Sequence, residues 1–154
     1  YKGKGIIMKI DTKHFGEIEF EEKDIISFCR GLLGFEEIKR YILINNEDTG
    51  GVFKWLQAVD RPDLAFVVMN PYCILDDFEF DIPDGVVEKL GIEKPEDVVV
   101  FTIVVVPEDI SKMTTNLKAP VIVNSANNKA EQVVLEDDRY NLKHPVAQSL
   151  KDAG

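Results

Sequence analysis

The longest uninterrupted apolar run of the chain spans residues 98–106, where nearly every side chain is β-branched or aromatic and none is charged. Such residues lose side-chain freedom in a helix and pack well on a pleated sheet. The run is also too short for a transmembrane helix, which needs about 20 apolar residues. Pro95 and Pro107 flank the run, where a missing N–H does little harm to strand pairing. We therefore predict a central strand, buried on both faces, around which the rest of the chain is arranged.

Two segments alternate between apolar and acidic residues, which is the period of a strand with one buried face. In residues 14–21 the apolar positions are Ile18 and Phe20, and residues 72–82 repeat the pattern with other apolar side chains. We predict two strands with acidic outer faces. Their apolar and acidic members are Ile18, Phe20, Phe78, Phe80 and Ile82 on one side and Glu17, Glu19, Glu21, Asp77, Glu79 and Asp81 on the other.

Shorter apolar runs bounded by Gly, Pro, Asn or Asp predict the remaining strands. Residues 84–91 have the pattern of a short helix, with Asp84 as N-cap and Gly91 at the C-terminal end. Residues 22–28 fit either a helical turn or the end of a strand, and residues 45–51 predict a turn. The further strands are expected at residues 8–12, 41–44, 52–59, 64–69, 119–124 and 131–135, the last two forming a hairpin.

About eight to ten short strands with turns every 8–12 residues are typical of a sandwich or barrel. We predict a mostly β fold, a small antiparallel β-barrel-like single domain with one or two short helices. The length of 154 residues suits one domain. We assign that domain to residues 8–146, interpret residues 1–7 as an extension or vector-derived sequence, and expect residues 147–154 to form a flexible tail.

The formal net charge is −10, and Lys2 and Lys4 contribute +2 of it, so residues 8–154 carry −12. An acidic surface repels phosphates and argues against direct nucleic-acid binding. It suits a basic protein partner, or it serves only solubility. Cys29 and Cys73 are expected to be free buried thiols in a reducing compartment. No signal peptide, transmembrane span or lipidation motif is present, which favours the cytoplasm.

The sequence holds few candidates for catalysis or metal binding. His14 and His144 do not lie in a nucleophile–histidine pattern, and structural or surface roles are expected for them. The carboxylates between Asp76 and Asp81 offer oxygen ligands for a hard cation, or an acid–base pair for glycoside cleavage. A strand that exposes alternate carboxylates does not wrap them around an ion, so a solvated acidic face is the favoured interpretation. We predict no catalytic, cofactor-binding or metal-binding residue.

Aromatic side chains and irregular loops are the other candidates for a binding surface. Trp55 and Tyr41 are expected in the core, whereas Tyr72 and Phe35 are open to either role. The loops with specific polar or glycine content are residues 31–37, 70–71 and 113–116.

Short motifs spread in order along the chain carry a resemblance to a known family. They are Ile10-Asp11-Thr12, Phe15-Gly16, Gly31-Leu32-Leu33-Gly34-Phe35-Glu36-Glu37, Pro62-Asp63-Leu64-Ala65-Phe66-Val67-Val68, Asn70-Pro71, Pro95-Glu96-Asp97-Val98, Val106-Pro107-Glu108-Asp109, Met113-Thr114, Asn116-Leu117, Ala119-Pro120, Ile122-Val123-Asn124, Gln132-Val133, Tyr140 and His144-Pro145. With these motifs the chain resembles the flagellar assembly factor FliW family from Met8 to Val146. Leu33 stands where a proline is expected, and Lys143 where an arginine is expected.

The resemblance implies a small β-barrel-like protein without catalytic activity or cofactor. It also implies two partners in the cytoplasm: flagellin, and the basic dimeric regulator CsrA, which represses flagellin synthesis by binding messenger RNA. Export of flagellin then frees the protein to antagonise CsrA allosterically. A flagellin-specific chaperone without CsrA antagonism is the alternative. The expected partner-binding residues are Glu17, Glu19, Asp77 and Glu79 for electrostatic docking and Phe35, Glu36, Asn70, Thr114 and Asn116 for loop contacts.

Overall fold

The computed structural model describes residues 7–45 and 52–147. Seven strands close into a barrel in which β3, β4, β5, β6, β7, β9 and β10 are neighbours in that order and β10 returns to β3. Every neighbouring pair is antiparallel except β3 and β10, which run parallel. The predicted antiparallel barrel-like fold is therefore confirmed. The strands are β1 Ile7–Thr12, β2 Gly16–Glu21, β3 Ile25–Phe28, β4 Arg40–Asn45, β5 Phe53–Ala58, β6 Ala65–Met69, β7 Val98–Val105, β8 Thr114–Thr115, β9 Val121–Asn124, β10 Lys129–Gln132 and β11 His144–Pro145.

The strands outside the barrel form two additions. β1 and β2 make a separate antiparallel hairpin, and β8 and β11 extend the sheet beyond β7. The single α-helix of the described residues, α1, spans Asp84–Leu90. All of the predicted turn at residues 45–51 except Asn45, nearly all of the extension, and the tail from residue 148 onward lie outside the described residues.

Apolar side chains collect in clusters inside and outside the barrel. Tyr41, Leu56 and Phe101 belong to the cluster that fills the barrel. A second cluster, with Phe78 and Leu90, lies between the barrel, α1 and the segment before it. Smaller clusters hold the β1–β2 hairpin against the barrel and pack under β11. The predicted core position of Tyr41 is confirmed, and burial raises the pKa of its hydroxyl to about 12.

The central strand differs in part from its prediction. β7 does pair with β6, β8 and β9, and Val100 and Phe101, which point to opposite faces, are both buried. However, Val99 and Val105 are exposed, so the strand is not buried on both faces throughout. Val105 lies where β7 leaves the closed barrel and pairs only with the two-residue strand β8. Burial on both faces is therefore limited to the middle of the strand.

The prediction of a strand at residues 72–82 is wrong, although the predicted alternation of buried and exposed side chains is right. The segment begins with a 3-10 turn at Pro71–Cys73 and has no strand partner among the described residues. Phe78 is buried, while Asp77 and Glu79 are exposed. An extended covering segment places side chains on alternate sides just as a strand does, so the period does not distinguish the two.

Three further details correct the sequence-based expectations. The N-cap of α1 is Pro83 rather than Asp84, which is the first helical residue, whereas Gly91 ends the helix in the left-handed conformation as predicted. Cys29 and Cys73 are both exposed, so the expected burial of the thiols is wrong. Trp55 is only half-buried, on the outer face of β5, because it packs against Phe15 of the hairpin rather than inside the barrel.

The loop at residues 31–37 uses its glycines in two different ways. Gly34 adopts a φ of 87°, which favours glycine over any other residue. Gly31 is buried, and a Cβ there would lie 2.5 Å from the carbonyl oxygen of Phe35 and 2.7 Å from those of Glu36 and Ile38. The loop therefore folds tightly on itself, and it inserts Leu32 into the barrel cluster.

Candidate protein-docking surfaces

The outer face of β2 carries the first predicted acidic row. Glu17 and Glu19 are exposed, and their carboxylates lie 4.0 and 3.6 Å from the Lys9 ammonium group of β1. Lys9 is directly opposite Glu19, whereas Asp11 is opposite Glu17. Ile18 and Phe20 point the other way, toward the apolar cluster beneath the hairpin. The predicted in–out pattern is confirmed here, and the structure places a lysine between the two carboxylates.

The second acidic row forms one wall of a groove. Glu79 and Asp81 are exposed, and the main chain of Glu79 is fixed by the Tyr140 hydroxyl. This hydroxyl accepts a hydrogen bond from the Glu79 N–H at 3.1 Å and donates one to the Glu79 carbonyl at 3.0 Å. Phe78 packs edge-to-face on the Tyr140 ring, with 4.7 Å between ring centroids. The wall is therefore held from inside the protein, although it is not part of a sheet.

The opposite wall continues from β10. The N–H groups of Val133 and Leu135 donate to the carbonyl oxygens of Pro120 and Lys118. This segment therefore continues the antiparallel pairing of β10 with the chain just before β9. Between Val133 and Leu135, Val134 is 56% exposed. The cavity between the walls has a volume of about 770 Å³, and we call it the acidic groove. Its lining residues are Glu79, Phe80, Asp81, Pro83, Val133, Val134, Leu135, Glu136, Asp137 and Arg139.

The carboxylates of the acidic groove differ in whether they form a salt bridge. Arg139 binds Asp137 through both of its oxygens, with a shortest distance of 2.7 Å, and it lies over the Tyr140 ring. Hydrogen bonds from the Arg139 side chain and backbone lower the pKa of Asp137. Among the described residues, Glu79, Asp81 and Glu136 make no salt bridge, although the charge of Glu79 acts on Arg139. The groove therefore keeps a net negative potential.

The predicted loop-contact residues around the barrel have structural partners of their own. Phe35 is half-buried and packs edge-to-face on Phe66, with 5.1 Å between ring centroids. Glu36 accepts a hydrogen bond from the Gly34 N–H at 3.1 Å, and this contact with the backbone lowers the pKa of the Glu36 carboxyl. These contacts shape the loop at residues 31–37 and leave Glu36 exposed to a partner.

The other three loop residues lie at turns and in a short strand. The Asn70 side chain accepts from the Tyr72 N–H at 2.9 Å and so begins the 3-10 turn there. Asn116 accepts from the N–H groups of Lys118 and Ala119, both at 3.0 Å. Thr114 is half-buried in β8 between Val105 and Pro145. The side-chain types of Asn70 and Asn116 are therefore explained by local folding, and the role of all three residues in binding stays a prediction.

The two acidic rows belong to different parts of the molecule. Glu17 and Glu19 lie on the hairpin above the cluster of Phe20, Ile25 and Ile42, whereas Asp77 and Glu79 lie beside the cluster of Phe78 and α1. The sequence analysis did not select Val134, Glu136 or Asp137, which complete the acidic groove. The acidic run at residues 136–138 was a usable signal, but its position opposite Glu79 depends on tertiary structure.

The histidines and carboxylates form no metal-binding group in the described part of the chain. His14 is exposed beside Phe15, and burial lowers the pKa of His144 in β11. Within residues 7–45 and 52–147, no group of three or more His, Cys, Asp or Glu side chains is arranged to hold a metal ion. The same ranges contain no helix long and apolar enough to cross a membrane.

Comparisons with known proteins agree with this fold. The family model described as FliW protein matches residues 9–146. The chain is 43% identical to the flagellar assembly factor FliW of Caldanaerobacter subterraneus subsp. tengcongensis, over 95% of this chain and 97% of that protein. It is 46% identical to the protein of the same name from Ruminiclostridium cellulolyticum, over 94% and 97%. A crystal structure of the flagellar assembly factor FliW superposes with a TM-score of 0.83 at 36% identity, covering 90% of this chain and 96% of that one. The chain belongs to the FliW family of flagellar assembly factors.

Proposed function

We propose that this protein is a non-enzymatic flagellar assembly factor that binds the translational regulator CsrA and flagellin in the cytoplasm. By antagonising CsrA when flagellin has been exported, it couples the level of flagellin to flagellin translation. Family membership supports the role in flagellar assembly. The observation that carries the choice of a basic partner is the net charge of −10, with unpaired carboxylates gathered in the acidic groove.

The charge of the protein suggests how antagonism works without occupation of the RNA site. Docking places the formal charge of −12 carried by residues 8–154 beside a basic RNA-binding dimer. This charge lowers the local potential that attracts phosphates, and docking also biases the shape of the dimer. Because the contribution is electrostatic, the affinity for CsrA falls as the salt concentration rises. An affinity that is constant from low to high salt would contradict this mechanism.

Flagellin and CsrA compete for the protein, either at one surface or through reciprocal coupling between two surfaces. Flagellin binding then lowers the affinity for CsrA by the same factor by which CsrA lowers the affinity for flagellin. The second candidate function is a cytoplasmic chaperone specific for flagellin that does not bind CsrA. The family name supports either role, since both are forms of flagellar assembly.

Calorimetric titration of the protein into the CsrA homologue of the same organism tests the proposal. The titration is repeated at low and moderate salt, and again with flagellin already bound. We expect binding that weakens with salt and that flagellin abolishes. Absence of binding to CsrA under both salt conditions, together with binding to flagellin, would establish the chaperone instead.

A further inference from the structure

The chain at residues 133–135 has one hydrogen-bonding edge in use and one edge free. The N–H groups of Val133 and Leu135 point toward Pro120 and Lys118. Because successive residues of an extended chain direct their main-chain groups to opposite sides, those of Val134 point away from that pairing. The Val134 N–H and carbonyl make no hydrogen bond within the described residues. An unpaired edge of this kind accepts a further strand.

Val134 lines the acidic groove, and the other wall of that groove also has unpaired main-chain groups. Residues 80–82 make no main-chain hydrogen bond within the described part of the chain, whereas Glu79 is fixed by Tyr140. The acidic groove between Val134 and this wall is open to solvent and has a volume of about 770 Å³. Glu79 on one wall and residues 133 and 135 on the other are held by hydrogen bonds before any ligand arrives, which lowers the entropic cost of binding.

The charges of the groove determine what kind of strand fits. Glu79 and Asp81 lie on one wall and Glu136 on the other, and the one guanidinium present, that of Arg139, is already bound to Asp137. The exposed Val134 side chain supplies an apolar contact between the acidic positions. An acidic segment would be repelled, whereas lysine or arginine side chains on alternate positions would reach the carboxylates.

We propose that the acidic groove binds an extended, basic segment of a partner protein, which adds as a strand along the free edge at Val134. The main chain of the segment pairs with Val134, an apolar side chain contacts Val134, and basic side chains contact Glu79, Asp81 and Glu136. The inference deepens the proposed function and rests on it in one respect: both require a basic protein partner.

The test uses a fluorescein-labelled nine-residue peptide of alternating arginine and valine, and fluorescence anisotropy measures its binding to the full chain. We expect binding that weakens as salt is raised. The groove variant Glu79→Gln/Asp81→Asn/Glu136→Gln is expected to bind about tenfold more weakly, since three charge pairs are lost.

A matched control removes the same charge elsewhere. Glu37, Glu96 and Glu108 are exposed, do not line the groove and make no salt bridge within the described residues. The variant Glu37→Gln/Glu96→Gln/Glu108→Gln is therefore expected to bind the peptide within about twofold of the unmodified chain, apart from the small change in overall field. Equal losses in the two variants would overturn the groove as the site and leave only a general attraction by net charge.

Strand addition has a separate readout in the peptide itself. A peptide of the same sequence with N-methyl groups on alternate residues keeps its charge but loses the donors on one edge. Two such peptides are possible, with N-methyl groups on the odd or on the even residues. We expect one of the two to bind about tenfold more weakly than the parent peptide. Equal binding by both N-methylated peptides and the parent would overturn strand addition.

Failure of this inference is distinguishable from failure of the proposed function. If the CsrA homologue binds the groove variant as tightly as the unmodified chain, the inference about the groove is wrong and the proposed function stands. If the peptide binds the groove but CsrA does not bind the protein, the inference stands and the proposed function is wrong.

Discussion

The acidic row on β2 and the acidic groove have the same sequence pattern and different surroundings. Glu17 and Glu19 alternate with Ile18 and Phe20, as Glu79 and Asp81 alternate with Phe78 and Phe80. On β2 the main chain is paired with β1, and Lys9 lies within salt-bridge distance of both carboxylates. In the groove, the corresponding wall has no strand partner and its carboxylates have no salt bridge in the described structure.

This difference separates two roles of surface charge. On β2 the two carboxylates share one cross-strand lysine, Lys9, so their charge is compensated in part, although Asp11 lies opposite Glu17. In the groove, unpaired carboxylates stand beside unpaired main-chain groups, so both the charge and the hydrogen-bonding capacity are available to another molecule. This difference is the reason that the proposed strand addition is assigned to the groove rather than to β2, although the sequence offers no reason to prefer one.

The largest expected loss of stability follows from removing the buried aromatic side chain that anchors each region. Phe78 is buried against Tyr140 and Phe80, so Phe78→Ala is expected to lower the free energy of unfolding by about 3–5 kcal/mol, as measured by urea denaturation. Hydrogen exchange of the Glu79 amide, which is bonded to Tyr140, should speed up, and exchange in β2 should remain unchanged. In the matched variant Phe20→Ala, hydrogen exchange is expected to speed up in β2 and to remain unchanged in the groove wall, because Phe20 anchors the hairpin. Exchange that increases equally in both regions in either variant would show that they are not separate units.

The Tyr140 hydroxyl gives the next effect. Tyr140→Phe leaves the N–H and carbonyl of Glu79 without their partner, and we expect a loss of about 1–3 kcal/mol in unfolding free energy. Urea denaturation measures it, and Tyr72→Phe is the control, since Tyr72 is exposed and its hydroxyl makes no hydrogen bond within the described residues. A Tyr140→Phe protein as stable as the control would mean that the hydroxyl does not hold the groove wall.

The lysine on β1 gives a small effect on stability. Lys9→Met removes the cation shared by Glu17 and Glu19, and the side chains of all three residues are more than half exposed. We expect the free energy of unfolding to fall by less than about 1 kcal/mol, because water screens exposed pairs. Urea denaturation at low and high salt measures the change, which should disappear at high salt. A loss that persists at high salt would indicate that Lys9 acts through its aliphatic chain.

The pair of Arg139 and Asp137 gives the smallest effect. Arg139 lowers the pKa of the Asp137 carboxyl, so this carboxyl stabilises the fold above its unfolded pKa, and the stabilisation is lost as pH falls through the lower folded pKa. In Arg139→Gln, we expect the Asp137 pKa to rise toward its ordinary value, as measured by carboxyl-carbon NMR titration. The Asp60 pKa serves as an internal control, since Arg40 lowers it independently. An unchanged Asp137 pKa would assign its shift to the backbone contact and to the charge of Lys118.

Local pattern was sufficient for much of the fold. Apolar runs bounded by turn residues located β4, β5, β6 and β7, and the alternation of Ile18 and Phe20 with glutamates indicated the faces of β2. Gly91 marked the end of α1 through its left-handed conformation. These features depend on neighbours in the chain, and the barrel class follows from many short strands with regular turns.

Tertiary structure decided what local pattern left open. The alternation at residues 72–82 is the same in a covering segment as in a strand, and only the absence of a neighbouring strand in the described structure distinguishes them. The exposure of Cys29 and the half-burial of Trp55 likewise depend on what packs above them. The acidic groove requires residues 79–83 and 133–137 to lie opposite each other. The sequence determined which residues are acidic and which are apolar, but the free edge at Val134 depends on which strands find partners, and that is settled only when the barrel closes.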